Sequence, residues 1–201
     1  MGSAMVGKTA LISQFLYDKF SPRYVRTVED LHNGEYEVHG RTLNLEILDT
    51  SGAYQFPAMR RLSIRTADGF ILVYAIDDAN SFEQVRQLRD EIIQEKSSGV
   101  PIVVVANKCD LEGQRVVPTS QASVVELEWE HGFVQTSAKE NINIVQVFKE
   151  LLSQAKVRYD LSPAVEKRRQ SLPVTQLSDG QLKHLQNISR KNAKRTSCVI
   201  S

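Results

Sequence analysis

Helical and strand-like patterns of apolar residues alternate along the chain as far as Tyr159, and their order predicts the fold. Apolar residues recur at helical spacing from Lys8 to about Lys19. A loop follows, then two runs, Glu35 to His39 and Leu43 to Leu48, which His39-Gly40-Arg41 joins as a hairpin. Gly69 to Ile76 is almost unbroken apolar sequence, the mark of a strand buried on both faces of a parallel sheet. Ser81 to about Glu95 reads as a helix, and Pro101 to Ala106 as a second buried strand. Pro118 opens a helix to about His131, Phe133 to Thr136 is a short strand, and Asn143 to about Tyr159 is a last helix. Strands alternating with helices predict an α/β domain with a mostly parallel sheet flanked by helices.

After Ser162 the periodicity fades, which divides the chain into a domain at 1–162 and a polar tail at 163–201. Charge follows the same division: residues 1–162 carry 17 Lys and Arg against 22 Asp and Glu, and residues 163–201 carry 8 against 2. A basic tail on an acidic body fits an anionic surface. Within it, Leu182, Leu185 and Ile188 recur every third residue, which fits either a short amphipathic helix lying on a membrane or, since three apolar residues bury little surface, the flexible linker that is expected. The composition, 41% hydrophobic and 24% charged, excludes fibrous and wholly disordered classes. With neither a signal pattern nor an apolar stretch of about 18 residues, a cytosolic protein with Cys109 and Cys198 reduced is expected.

Four segments carry chemistry. Gly2-Ser3-Ala4-Met5-Val6-Gly7-Lys8-Thr9 fits G-x-x-x-x-G-K-[ST] and runs straight into the first helix. In such a loop the backbone N–H groups wrap phosphates, Lys8 neutralises the β and γ oxygens, and the Thr9 hydroxyl binds Mg²⁺. Asp49-Thr50-Ser51-Gly52 follows a strand, placing a carboxylate for the metal and a glycine amide for the terminal phosphate. Asn107-Lys108-Cys109-Asp110 and Thr136-Ser137-Ala138-Lys139 end two more strands. All four lie at the carboxyl ends of strands, where open α/β sheets bind ligands.

In these motifs, in Phe56 to Ile64 and in the ending Cys198-Val-Ile-Ser201, the chain resembles the Ras family of small GTP-binding proteins. Within that family it is most similar to the dexamethasone-induced Ras and Rhes branch, with Di-Ras and Rap as neighbours. The resemblance implies a P-loop NTPase fold binding GTP or GDP with Mg²⁺. It places the nucleotide against Gly2, Ser3, Ala4, Met5, Val6, Gly7, Lys8, Thr9, Ala10, Phe20, Tyr24, Thr27, Asp49, Gly52, Asn107, Lys108, Asp110, Ser137, Ala138 and Lys139. The metal would fall to Thr9, Thr27 and Asp49, and hydrolysis to Lys8, Thr27, Gly52 and Gln55. By the same resemblance Asp110 accepts from guanine N1–H and its exocyclic amine, and adenine would leave that carboxylate unpaired. Effectors would dock at Thr27, Val28, Glu29 and Asp30, and exchange and activating proteins are implied, with a monomer and no nucleic acid.

Two positions depart from the family pattern. Ala53 stands where Ras has the glutamine that orients the attacking water, and Ala4 where Ras has a glycine beside the γ-phosphate. Slow hydrolysis and a bias to the GTP state are expected unless Gln55 substitutes from its neighbouring position. The alternative reading is an interaction protein that stays GTP-bound or nucleotide-free and presents effectors without cycling.

At the other end, Cys198-Val-Ile-Ser201 fits C-a-a-X with a terminal serine, which predicts farnesylation of Cys198 by farnesyl transferase. One lipid binds weakly, and Arg190, Lys191, Lys194 and Arg195 supply the second attraction, to anionic inner-leaflet lipids. The expected location is the cytoplasmic face of the plasma membrane. Because the phosphate loop begins at Gly2, the family's leading strand is absent from this sequence, and the sheet is expected to lack a strand between those beginning near Leu43 and Gly69. That predicts reduced stability and weak nucleotide affinity if Met1 is the natural start.

Overall fold

The computed structural model describes residues 1–38, 41–52, 57–96, 99–156, 165 and 197–200. In chain order the elements are α1 (Lys8–Tyr17), β1 (Glu29–Val38), β2 (Arg41–Thr50), α2 (Pro57–Thr66), β3 (Phe70–Ala75), α3 (Ala79–Lys96) and β4 (Ile102–Asn107). A 3₁₀ turn at Cys109–Gln114, α4 (Gln121–Ser123), a π-helical turn at Val124–Glu128, β5 (Gly132–Gln135), α5 (Ile144–Gln154) and β6 (Ser197–Ile200) complete the set. Strands and helices alternate along the chain, and β3, β4 and β5 form a parallel sheet, the α/β architecture expected from the sequence.

β3 and β4 are buried at every position and pair in parallel, with β5 parallel beyond β4. Side-chain alternation along β3 explains the unbroken apolar run. Ile71, Val73 and Ala75 join the core under α1 and α5, while Phe70, Leu72 and Tyr74 join the core against α3. Phe15 of α1 stacks on Phe148 of α5 at 3.6 Å between ring centroids, fixing those helices on one face. On the other face Arg60, Arg61 and Arg65 of α2 pair with Glu91 and Glu95 of α3.

β1 and β2 form the expected antiparallel hairpin, longer than its apolar core suggested, with register from Glu29↔Thr50 to Val38↔Arg41. The turn at His39–Gly40 lies outside the described residues. Leu43, Leu45 and Ile47 are buried, and Asn44, Glu46 and Leu48 are half-buried, the alternation of a strand with one core face.

Two expectations change. The helix placed at Pro118 to His131 is a single turn of α-helix followed by the π turn. That wider turn carries Trp129 over α3, where its ring stacks on Phe82 at 6.0 Å with Arg86 and Arg89 across its face. The last helix ends at Gln154, followed by a left-handed Lys156 (φ 58°). As expected from the missing leading strand, the described strands form two three-stranded sheets, β1-β2-β6 and β3-β4-β5, linked beside β3 only by isolated bridges from Gly2 to Val73 and from Ile200 to Gly69.

Val165 and Ile200, both beyond residue 162, are buried in the core under α1 and α5. Apart from Val165 and Ser197–Ile200, the expected tail, including Leu182, Leu185, Ile188 and the basic Arg190, Lys191, Lys194 and Arg195, lies outside the described residues. Among the described residues no helix is long and apolar enough to cross a membrane.

Candidate functional site

The loop from Gly2 to Thr9 bends sharply because its backbone conformations suit it to close approach. Gly2 (φ 139°) lies against β3, where a Cβ would strike the Val73 carbonyl oxygen. Gly7 (φ 97°) is the N-cap of α1, and a Cβ there would strike the side-chain amide of Asn107. Met5, at φ 63°, is the loop's left-handed non-glycine residue. The loop therefore ends on the amino terminus of a ten-residue helix, where free N–H groups and the helix dipole favour an anion.

Lys8 leaves the first turn of α1 and folds back over the loop. Its Nζ donates to the carbonyls of Gly2 at 3.0 Å and Ser3 at 2.7 Å. Burial pushes its pKa down to about 8, opposed by the attraction of Asp49. An ammonium held against carbonyls, with part of its hydration stripped, is poised to gain from an incoming phosphate.

Three oxygens proposed for a metal converge beside it. Thr9 Oγ1 donates to Asp49 Oδ2 at 2.6 Å and lies 2.8 Å from Thr27 Oγ1. Asp49 is 1% exposed, and its other oxygen, Oδ1, is buried with no hydrogen-bond partner among the described residues. Hydroxyl and carboxylate oxygens are the hard donors that Mg²⁺ takes, and an unpaired buried carboxylate oxygen is costly unless a cation or water meets it. The residues present fit the ion.

Gly52 sits against the loop so closely that a Cβ would collide with the Ala4 backbone. Ala53 and Gln55, on which the hydrolysis expectations rest, lie outside the described residues.

The segments Asn107–Asp110 and Thr136–Lys139 are joined through Asn107, which is 2% exposed at the end of β4. Its Nδ2 donates to Val6 O at 2.8 Å, while its Oδ1 accepts from Thr136 Oγ1 at 3.0 Å and from the Ala138 amide at 3.2 Å. Lys108, in a left-handed conformation at φ 66°, turns the chain toward Asp110. Ser137 Oγ donates to Asp110 Oδ1 at 2.6 Å, and Lys139 Nζ lies 4.0 Å from Asp110 Oδ2. Gln14 of α1 donates to the Ala138 carbonyl at 2.8 Å, tying this loop to the phosphate-loop helix.

These groups surround one cavity of about 560 Å³, within the range of small-ligand sites. Among the expected residues, Ala4, Met5, Gly7, Lys8, Thr9, Ala10, Phe20, Tyr24, Thr27, Gly52, Asn107, Lys108, Asp110, Ala138 and Lys139 line it. Gly2, Ser3, Val6, Asp49 and Ser137 do not; they stand behind the wall and hold lining residues through the contacts above. Of the expected effector residues, Val28 is 76% exposed, and Glu29 and Asp30 begin β1.

Sequence reasoning missed two supports. Asp77, just past β3, accepts from Lys108 Nζ at 3.1 Å, and its only trace in the sequence is an acidic pair closing a buried strand. Ser63 of α2 donates to Glu29 at 3.2 Å, a contact between segments with no shared motif.

Comparison with known proteins agrees with this geometry. Residues 1–157 match the model of the Ras family. The chain is 39% identical over 180 residues to human (Homo sapiens) GTP-binding protein Rhes, covering 84% of this chain and 67% of that protein. It is 40% identical over 176 residues to the Rhes proteins of Mus musculus and Rattus norvegicus, covering 82% of this chain and 66% of each. The chain thus spans about two thirds of the length of these relatives.

Proposed function

This chain belongs to the Ras family, and from that premise we propose that it is a GTP/GDP switch whose hydrolysis is slow and whose GTP form dominates. The observation that supports nucleotide binding is the convergence on one cavity of Lys8, Thr9, Thr27 and Asp110, with Asp49 behind the wall holding Thr9. Phosphate, metal and base subsites are then held at once by groups already tied to each other.

Each residue has a distinct task. The Gly2–Thr9 backbone and Lys8 hold the phosphates, and Lys8 exchanges its carbonyl partners for phosphate oxygens. Thr9, Thr27 and Asp49 would hold Mg²⁺, which when bound withdraws charge from the β- and γ-phosphate oxygens. Asp110, oriented by Ser137, accepts from the N1–H and exocyclic amine of guanine. Thr27 orders its loop while the γ-phosphate is present and releases it when the phosphate is lost, which changes the surface at Thr27, Val28, Glu29 and Asp30 that effector proteins would read.

Hydrolysis requires a water aligned on the γ-phosphate, and the methyl of Ala53 can neither accept from nor donate to it. The backbone of Ala4 packs against Gly52, and its methyl would crowd the space that an activating protein's arginine must enter. Farnesylation at Cys198, with the basic tail against anionic inner-leaflet lipids, would place the switch at the cytoplasmic face of the plasma membrane.

The test is to denature the purified protein and identify the nucleotide it releases. Mostly GTP is expected. Mostly GDP would mean that hydrolysis survives Ala4 and Ala53, and no guanine nucleotide would overturn the binding reading itself.

A further inference from the structure

Just past β3 stands an acidic pair whose two carboxylates have different partners. Asp78 Oδ1 accepts from the amides of Asn80 at 3.0 Å and Ser81 at 3.3 Å, which holds the turn into α3. Both oxygens of Asp77 accept instead from Lys108 Nζ, at 3.1 and 3.2 Å, across 31 residues of sequence. The backbone fixes this meeting. The amide of Ile76, the residue before Asp77, donates at 3.1 Å to the carbonyl of Asn107, the residue before Lys108. On the far side of Lys108, the Cys109 amide donates to the Thr136 carbonyl at 3.0 Å.

Lys108 lines the cavity beside Phe20 and Asp110, whereas Asp77 does not line it. Asp110 is the single carboxylate among the described lining residues. Its Oδ1 accepts from Ser137, and its Oδ2 lies 4.0 Å from Nζ of the exposed Lys139. The Lys108 ammonium therefore stands at a wall with one carboxylate behind it, Asp77, and another in the cavity, Asp110.

We propose that Asp77 is a positioning residue of the base subsite: it holds the Lys108 ammonium away from Asp110, leaving that carboxylate open for guanine and the lysine stem along the cavity wall. This inference rests on the guanine reading of Asp110 given above. An ionised carboxylate is acceptor-only, so both its oxygens can face one ammonium. The pair orders a long, rotamer-rich side chain before any ligand arrives, which removes that ordering cost from binding. Without the Asp77 charge, the ammonium turns to the carboxylate that remains, and the N1–H and exocyclic amine of guanine must displace it. The two side chains are 30% and 23% exposed, so water screens the pair and the effect is a weakening rather than a loss of binding.

Competition of GDP and inosine diphosphate against a fluorescent GDP analogue, on the full chain with Mg²⁺, tests the proposal. Inosine diphosphate keeps the phosphates and N1–H but lacks the exocyclic amine, so the preference for GDP reports the bonds made to Asp110. The parent is expected to prefer GDP by about tenfold or more. Asp77→Asn, which keeps the shape and removes the charge, is expected to weaken GDP roughly three- to tenfold and to narrow the preference about threefold. On a Lys108→Met background, which has no ammonium to misplace, the same change is expected to alter neither.

Unchanged GDP binding in Asp77→Asn would overturn the proposal. So would equal weakening of the two diphosphates, or the same loss on both backgrounds, since either would mean that Asp77 acts through the fold and not through the Lys108 charge. A parent that binds both diphosphates equally would overturn the guanine reading of Asp110 and this inference with it, a failure visible in the parent alone.

Discussion

Asn107 donates from Nδ2 to the carbonyl of Val6 at 2.8 Å, so the residue that begins the base-reading segment also holds the phosphate loop, 101 residues away in sequence. Its Oδ1 serves Thr136 and Ala138 at the same time, which makes one buried amide the junction of three motifs. Asn107→Ala strands a carbonyl, a hydroxyl and an N–H in a site 2% exposed. Losses of this kind cost about 2–4 kcal/mol together. The expected outcome is a melting temperature lower by roughly 5–15 °C, with guanine-nucleotide affinity falling at least tenfold. Melting curves with and without GDP check both, and a variant that melts like the parent would remove Asn107 from this role.

The motifs themselves were legible because their residue types are dictated by the chemistry of phosphate, metal and base rather than by packing. β3 and β4 were equally legible, since burial on both faces leaves little but Val, Ile, Leu, Phe and Ala in the sequence. β6 was not, because four residues show no period, and Cys198-Val-Ile-Ser201 reads as a processing motif before it reads as a strand. The π turn at Val124–Glu128 was hidden for another reason: its extra residue per turn is set by Trp129 reaching Phe82, a contact across 47 positions. Asp77 and Ser63 hold their partners through the fold alone.

The Thr9–Asp49 contact at 2.6 Å makes a prediction about metal removal. Asp49 Oδ1 is buried without a partner among the described residues, so the carboxylate is a cost to the empty protein that a bound cation would offset. Chelation by EDTA should speed nucleotide release at least tenfold, the effect of losing only about 1.4 kcal/mol of metal-mediated binding. Asp49→Asn should abolish that sensitivity while the nucleotide-free protein melts no lower than the parent. Release that ignores EDTA in the parent chain would sink the metal assignment.

Gly52 lies against the Ala4 backbone, and the proposed slow hydrolysis is separable into a part from Ala53 and a part from Ala4. Ala53→Gln restores a group that can align water, and its single-turnover hydrolysis should rise on the order of 10- to 100-fold. Ala4→Gly removes a methyl without adding a catalytic group, so its own hydrolysis should change little. Its effect should appear when an activating protein is added, as a stimulation the parent lacks. Release of labelled phosphate from preloaded GTP measures each. A parent chain that already hydrolyses as fast as Ala53→Gln would point instead to Gln55.

Lys8 supplies the pH dependence. Burial lowers its pKa from 10.5 to about 8 against the opposing attraction of Asp49, so the folded, nucleotide-free protein holds this proton less tightly than the unfolded chain. Below about pH 8 both states carry the proton and the folded state bears the full cost of the buried ammonium. Between about 8 and 10.5 the folded state has released the proton while the unfolded chain keeps it, so this term stabilises the empty protein as pH rises. Nucleotide binding has the opposite sign. Phosphate oxygens favour the ammonium, so above about pH 8 binding must take up a proton, and affinity should fall by up to about tenfold per pH unit. Below it, the Lys8 contribution is flat. Titration of a fluorescent GDP analogue from pH 6.5 to 9.5 reads the curve, and Lys8→Met, weaker throughout, should lose this component of the fall. A parent curve that stays parallel to that of Lys8→Met across pH 8 would show that Lys8 is fully charged in the empty loop.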